Sequence, residues 1–513
     1  MRHHPRGPAI GRRELCLGLP ALAAAWTSGC LAGRGGPDRG APSLPERVHV
    51  ALDAPLGPYD RLSGVQGSPH PEVDEDVPHS EAFRAHHIER ARFPQDCPAN
   101  TLTLAGIFPD ERADPDDPAS YNFAAIDRHV RAAREAGLRV LWQSSYDIGG
   151  SDRWVGLNLG GRPIRDLDRW SRVLARCLEH FSIGWAGGFE RGIDDVEFLN
   201  EGNGLGGYGA DAAALHAAFR RFLATVSAHN HRHPGAQVRP VGPGIPLSIA
   251  EWPALRGALD RMLADLVRSG TALPVLSFHS YGADTSPAAN ARLAREHRAL
   301  LDAHGLTATE LWNSEWQAGD FLRTHLDVDP ARARSATPDE RRAFAQGVAS
   351  YALSCKARWQ GVLTGSFYYR AGRRAWPPGQ SAPLGNGDGS AGFFSPAGRV
   401  GALALQELLT HRLAQRTPQR CAVDCADNPL FTALGLRGEA TAAALLASLT
   451  LAPRRVQVRF TGEPALTRAR VVRIDTDAQA LAEEDVPITR ADDGAVTAEL
   501  TLGALEAAAL EVQ

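Results

Sequence analysis

Two glutamates stand where a carboxylate can do chemistry. Glu201 closes the run Val196-Glu197-Phe198-Leu199-Asn200-Glu201 and is followed by Gly202-Asn203. Glu315 closes Leu311-Trp312-Asn313-Ser314-Glu315 and is followed by Trp316-Gln317. Both runs are rich in strand-forming residues, so each would present a carboxylate at the end of a strand. A single glutamate in such a place usually serves a salt bridge or a solvated loop. A pair facing each other across a bond is the equipment for cleaving a glycosidic linkage. One must be protonated to help the leaving oxygen depart, and the other ionised to attack the anomeric carbon. In retaining enzymes they stand about 5–5.5 Å apart. Charge on one raises the pKa of the other, so environment divides the roles. Glu201 is the candidate acid/base, Glu315 the candidate nucleophile, and Asn200 can donate to a sugar 2-hydroxyl. A third run, Ser277-Phe278-His279-Ser280-Tyr281, places His279 and Tyr281 two apart and therefore on one face. From there Tyr281 can hold the Glu315 carboxylate and His279 can bind sugar or orient the pair; a histidine packed in the wall is the plainer alternative. Glu197 lies roughly 13 Å deeper along its strand and reads as packing or support. Glu310 is at the wrong end of its strand. Trp142-Gln143 ends another run and either lines the pocket or fills the core.

The elements that position these residues alternate in type. Strand-like runs occur at Val48–Leu52, His87–Phe93, Leu138–Ser144, Val196–Asn200, Gln237–Val241, Val275–Ser280, Thr309–Asn313 and Val362–Tyr369. Helical patterns separate them, including Phe123–Ala136, Asp166–Phe181, Asp211–Asn230, Ile249–Arg268, Pro287–His304 and Pro338–Trp359, with a last one at Val400–His411. Eight such strands predict a parallel (β/α)8 TIM barrel, an α/β fold whose active residues sit at the C-terminal strand ends. A doubly wound open sheet is the alternative, but no glycine-rich phosphate-binding motif follows an early strand. From about residue 420 the pattern changes to alternating stretches at Ala442–Thr450, Val456–Thr461, Ala469–Ile474 and Val496–Leu502, which predict a C-terminal antiparallel β-sandwich-like domain. The expected organisation is an export signal over 1–30, a linker over 31–46, a catalytic barrel over 47–415 and an accessory β domain over 420–513.

Composition fits this plan. The chain of 513 residues is 43% hydrophobic and 22% charged, with Lys+Arg 55 against Asp+Glu 59, which excludes the basic footprint of a nucleic-acid binder. Ten Trp residues are available as flat platforms for sugar faces, although most tryptophans are core. Arg12-Arg13 precede an apolar stretch from Leu15 to Trp26, too short to span a bilayer, as in a twin-arginine export signal. Thr27-Ser28-Gly29-Cys30 resembles a bacterial lipobox, with Cys30 as the candidate lipid-anchored residue and Thr27 where leucine is usual. Among the other cysteines, Cys421 and Cys425 are near enough in sequence to suggest a small disulfide loop. His229, His231 and His233 read as a solvated helix end rather than metal ligands, and Glu72–Asp76 as a surface loop or a rim of the site.

Taken together the residues resemble glycoside hydrolase family 39 (the β-xylosidase and α-L-iduronidase family) of clan A. The resemblance rests on the strand-four and strand-seven glutamates and on Ile107-Phe108-Pro109-Asp110, Ala113–Pro118 and Tyr121-Asn122-Phe123. It continues through Glu179-His180-Phe181, Gly184-Trp185, Phe278–Gly282, Glu315-Trp316 and, in the tail, Val472–Asp475. It implies a retaining, metal-free, cofactor-free exo-glycosidase acting on xylosides, iduronides or related glycosides. It carries Asn200 and Glu201 onto the family's Asn-Glu pair, Glu315 onto its nucleophile, and His279 and Tyr281 onto its strand-six pair. Arg92 matches a strand-two arginine, and Trp316, Trp142 and Tyr368 join the expected substrate-binding set. The chain departs from the pattern at Gly202, where Pro is usual, at Leu199, where Trp is common, and at Tyr368-Tyr369-Arg370, where Tyr-Asp is usual. These departures bear on substrate identity and leave open a second class of function, a glycan-binding surface lipoprotein that does not cleave. A metal-dependent hydrolase has little support, since His49 has no second ligand two residues away.

Overall fold

Eight short parallel strands close into a barrel in the order of the chain: Gly64–Gln66, Arg90–Phe93, Arg139–Gln143, Asp195–Glu197, Arg239–Leu247, Val275–Ser280, Glu310–Trp316 and Gly365–Tyr369. The computed structural model describes residues 44–67, 79–93, 104–110, 112–144, 164, 166–199, 212–247, 252–282, 285–325, 337–369, 393–394, 400–462 and 466–513. The expected export signal, Cys30, Cys97, the 72–76 loop and the residues Asn200 to Gly209 lie outside them.

Sequence explains the helices that wrap the barrel. In Leu167–Ile183 the buried residues Trp170, Val173, Leu174, Cys177, Leu178 and Phe181 recur at three- and four-residue steps, one apolar stripe. Asp166 caps its first turn by accepting from Arg169 N, and Gly184, at φ 77°, ends it in the left-handed conformation. The helix Pro338–Trp359 opens on a full capping box between Thr337 and Glu340. It is apolar on two sides because it is packed on two sides. Phe344, Val348, Tyr351 and Trp359 face the barrel core, whereas Ala349 and Leu353 join Leu405, Leu409 and Leu413 of the helix Ala402–Arg416 against the second sheet.

That second sheet has ten strands and corrects the sequence expectation at its first one. The strand Glu46–Pro58, expected to open the barrel, pairs antiparallel with Gln419–Cys425 and parallel with Arg454–Thr461. Its register explains why: Val48, Val50 and Leu52 alternate into the sheet's own apolar core beside Cys421, Val456 and Val458. The barrel instead begins at Gly64–Gln66, only three residues long and too short to stand out by periodicity. The appended sheet is therefore mixed, with one parallel pair among antiparallel ones. Cys421 and Cys425 lie along one strand, four residues and so about 13 Å apart, beyond disulfide reach, and both are free thiols. His49, on the same sheet, bonds Thr461 Oγ1 at 2.9 Å.

The histidine run also differs from expectation. His231 is exposed, but His229 is fully buried with Nε2 2.9 Å from Ser182 Oγ. Residues two apart on a helix face opposite ways, so only one of that pair reaches solvent.

Candidate active site

Among the described residues the barrel lumen holds an apolar layer with a polar one above it. The lower is apolar: Leu141, Val241, Val275, Trp312 and Phe367 form a separate cluster. The upper is polar. Register partners on neighbouring parallel strands project to one face, so Gln66 and Arg92, Gln143 and Glu197, His279 and Glu315, and Gln66 and Tyr369 share the lumen side. Gln66, Arg92, Gln143, Glu197 and His279 are wholly buried there.

Arg92 organises this layer. Its Nε donates to Glu197 Oε2 at 2.6 Å and its Nη1 to Glu315 Oε2 at 2.7 Å, so one guanidinium holds both carboxylates. Tyr281 donates its hydroxyl to the other Glu315 oxygen at 2.5 Å. His279 lies with Nε2 3.2 Å from Arg92 Nη2 and Nδ1 3.8 Å from Glu315 Oε2. Glu197 is fixed from its other side. Gly244 N donates to Ser277 Oγ at 3.0 Å, and Ser277 Oγ donates to Glu197 Oε1 at 2.8 Å. Position 244 has φ +61°, a left-handed conformation that favours glycine. Burial alone would push the Glu315 carboxyl up. Neighbouring His279 and Arg92, with the hydrogen bonds from Tyr281 and Arg92, outweigh it and hold the group below the usual carboxylate range. An ionised carboxylate 95% shielded from water, at the C-terminal end of a barrel strand, is placed to act as a nucleophile.

A bulge aims that carboxylate. Along Glu310–Trp316 simple alternation from the lumen-facing Trp312 would turn Glu315 outward. Between Asn313 and Glu315 the pairing skips Ser314, and Glu315 falls in register with His279. The Asn313 amide staples the bulge: it donates to the carbonyls of Phe278 at 3.1 Å and Glu315 at 3.0 Å, and accepts from Ser280 Oγ at 2.8 Å.

Of the residues expected in the site, the structure brings together Arg92, His279, Tyr281 and Glu315. Glu201 and Asn200 lie outside the described residues. The fourth strand leads directly to them, with Ser144 N and Oγ both donating to the Glu197 carbonyl at 2.9 Å. Leu199, immediately before them, holds a left-handed φ of 49°, a costly conformation for a branched residue that concentrates at functional sites. Three expected binding residues are placed elsewhere. Trp142 points outward onto Phe181, ring centroids 5.0 Å apart. Trp316 and Tyr368 also point outward, packing edge-to-face on each other at 4.8 Å, with Trp359 behind Trp316. Strand alternation is the reason: Gln143, Glu315 and Tyr369 take the inward positions. Tyr369 was missed. Its ring meets Tyr281 edge-on at 6.3 Å, and the alternation outward from lumen-facing Phe367 is the signal that would have found it. The motifs Tyr121-Asn122-Phe123 and Glu179-His180-Phe181 prove to be scaffold. His180 stacks on Phe123 at 3.4 Å and bonds Asp127 at 2.8 Å, while Glu179 pairs with Arg176 and Arg232.

No family model matches the sequence, and no curated protein does. Solved structures do. A glucosidase from Croceicoccus marinus is similar at TM-score 0.63 and 22% identity, over 92% of this chain and 99% of that one. A GH39 enzyme from Xanthomonas axonopodis pv. citri gives TM-score 0.63 at 15% identity, over 94% and 100%. A monomeric beta-xylosidase from Caulobacter crescentus CB15 gives 0.61 at 16%, over 91% and 99%. The chain thus has the barrel-plus-β-domain fold of these glycoside hydrolases, the fold the sequence resemblance implied.

Proposed function

We propose that the protein is a retaining glycoside hydrolase with Glu315 as nucleophile and Glu201 as acid/base. The observation that carries this reading is the Glu315 carboxylate, buried at a strand end and hydrogen-bonded by Arg92 and Tyr281. The carboxylate attacks the anomeric carbon while Glu201 gives its proton to the departing glycosidic oxygen, leaving a glycosyl ester on Glu315. Glu201, now a carboxylate, takes a proton from water; the water oxygen bonds the anomeric carbon and the ester bond breaks, restoring both groups. Arg92 and Tyr281 keep Glu315 charged for the first step and stabilise it as the leaving group of the second. Glu197 is a support for Arg92 in this scheme. Xylosides and related exo-cleaved glycosides are the proposed substrates, and residues 1–30 support export.

The test is hydrolysis of aryl xyloside, arabinoside, glucoside, galactoside and iduronide by wild type and Glu315→Gln. Turnover of one sugar, lost by several orders of magnitude in the variant, is expected. Equal rates in both would remove Glu315 from the chemistry. Sugar binding without turnover in the wild type would favour the glycan-binding reading that Gly202 and Arg370 motivate.

A further inference from the structure

The upper lumen layer holds side chains that the mechanism above does not use, and Gln66 is one of them. Gln66, on the first barrel strand, is in register with Arg92 on one side and Tyr369 on the other, so it faces the same space as Glu315. It is completely buried, yet neither Nε2 nor Oε1 has a hydrogen-bond partner among the described residues. A primary amide offers two donors and two acceptor lone pairs, and leaving such groups buried and unmet is costly. Nothing about the barrel demands the cost. The layer beneath is filled with Leu, Val, Trp and Phe side chains, so an apolar residue of similar length would fill the position more cheaply.

We propose that Gln66 is a sugar-binding residue, whose amide hydrogen-bonds a hydroxyl pair of a neutral glycone seated against Glu315. This rests on the glycosidase reading and adds the class of sugar. The chemistry of the group selects the partner. A neutral amide that both donates and accepts matches hydroxyls, which do the same; a carboxylate or phosphate partner calls for arginine or lysine. Arg92 is adjacent, but its guanidinium is committed to Glu197 and Glu315. Two carboxylates thus share one buried arginine in this layer, a setting that disfavours an anionic sugar. Neutral pentosides or hexosides are the expected substrates of this subsite, and uronides are expected to be poor.

The test is Gln66→Met, which keeps the length and removes the polar atoms. Three things are measured: the melting temperature of the free protein, kcat/KM on the best aryl glycoside, and kcat/KM on its monodeoxy analogues. The proposal expects an unchanged or raised melting temperature, a loss of kcat/KM of roughly tenfold or more, and a much smaller loss on the one deoxy analogue that lacks the contacted hydroxyl. A lowered melting temperature with kcat/KM within twofold of wild type would overturn it. So would an equal loss on every deoxy analogue, which marks a scaffold residue. A wild type that prefers the iduronide would overturn the neutral-sugar assignment. If the wild type turns over no glycoside, the glycosidase reading fails by itself. Gln66 is then judged on melting shifts with free xylose, arabinose, glucose and galactose. A wild-type shift absent from Gln66→Met keeps the assignment, and no shift with any of the four ends it.

Discussion

Replacing Tyr281 by Phe removes one atom from the site and leaves the ring that meets Tyr369 at 6.3 Å. That atom donates to Glu315 Oε1 at 2.5 Å, and the bond favours the ionised carboxylate. A hydrogen bond to a charged group contributes about 1.5–3 kcal/mol. Tyr281→Phe should therefore raise the Glu315 pKa. In the proposed mechanism attack requires the ionised form, so the acid limb of the pH profile of kcat/KM should move to higher pH, while the basic limb, assigned to the acid/base group, stays where it was. The assay is kcat/KM across the pH range on whichever aryl glycoside the wild type prefers, with circular dichroism to show that the variant is folded. If the acid limb does not move, Tyr281 does not hold the nucleophile ionised; if both limbs move together, the bond acts on the site as a whole rather than on Glu315.

Arg92→Met leaves Glu197 and Glu315 buried with no cation between them. Breaking such a pair costs about 3–5 kcal/mol, readable as a lowered urea midpoint. Adding Glu197→Gln should recover part of it, and no recovery would mean the two carboxylates do not depend on the same arginine. Asn313→Ala unstaples the bulge that turns Glu315 inward. Activity should fall by more than tenfold with a stability loss of only about 1–3 kcal/mol; full activity would show that the bulge holds without its amide. Acid should weaken the fold through His229 and His297. Both are buried, and burial pulls each pKa down to about 4 from 6.5. Between these values the unfolded chain binds the protons and the folded chain does not, so stability falls as pH drops from 6.5 towards 4. His297, between Trp252 and Phe278 at 4.1 and 4.5 Å, should contribute on the order of 3 kcal/mol. His297→Phe should flatten the melting-temperature profile over that window, and an unchanged slope would refute the assignment.

The barrel was legible because its helices are long and capped: the helix Pro338–Trp359 and the strand Val275–Ser280 fall where the residues predict them. The first strand was not. Val48–Leu52 alternates like any half-buried strand, and only pairing partners some 400 residues away in sequence assign it to the other sheet. Three-residue Gly64–Gln66 carries too little periodicity to compete with it. Residue type and spacing singled out His279, Tyr281 and Glu315, and the resemblance added Arg92; the structure brings these four together, but facing did not come with residue type. Trp142, Trp316 and Tyr368 are the kind of residue that binds sugar and were expected to do so. Each stands one position from the lumen, and a one-residue difference in a strand is the difference between core and pocket. The bulge at Ser314 is the same problem in reverse, since alternation alone would have pointed Glu315 away.

The two lumen layers suggest how one barrel combines a stable body with a costly site. The lower layer buries the apolar Leu141, Val241, Val275, Trp312 and Phe367, while the upper layer buries Arg92, Glu197, Gln143, His279 and Gln66. Replacing such a polar set by apolar side chains would often stabilise a protein, so its presence is better explained by what it holds than by what it adds to folding. A chain of hydrogen bonds runs through it: Gly244 N donates to Ser277, Ser277 to Glu197, and Arg92 to both Glu197 and Glu315.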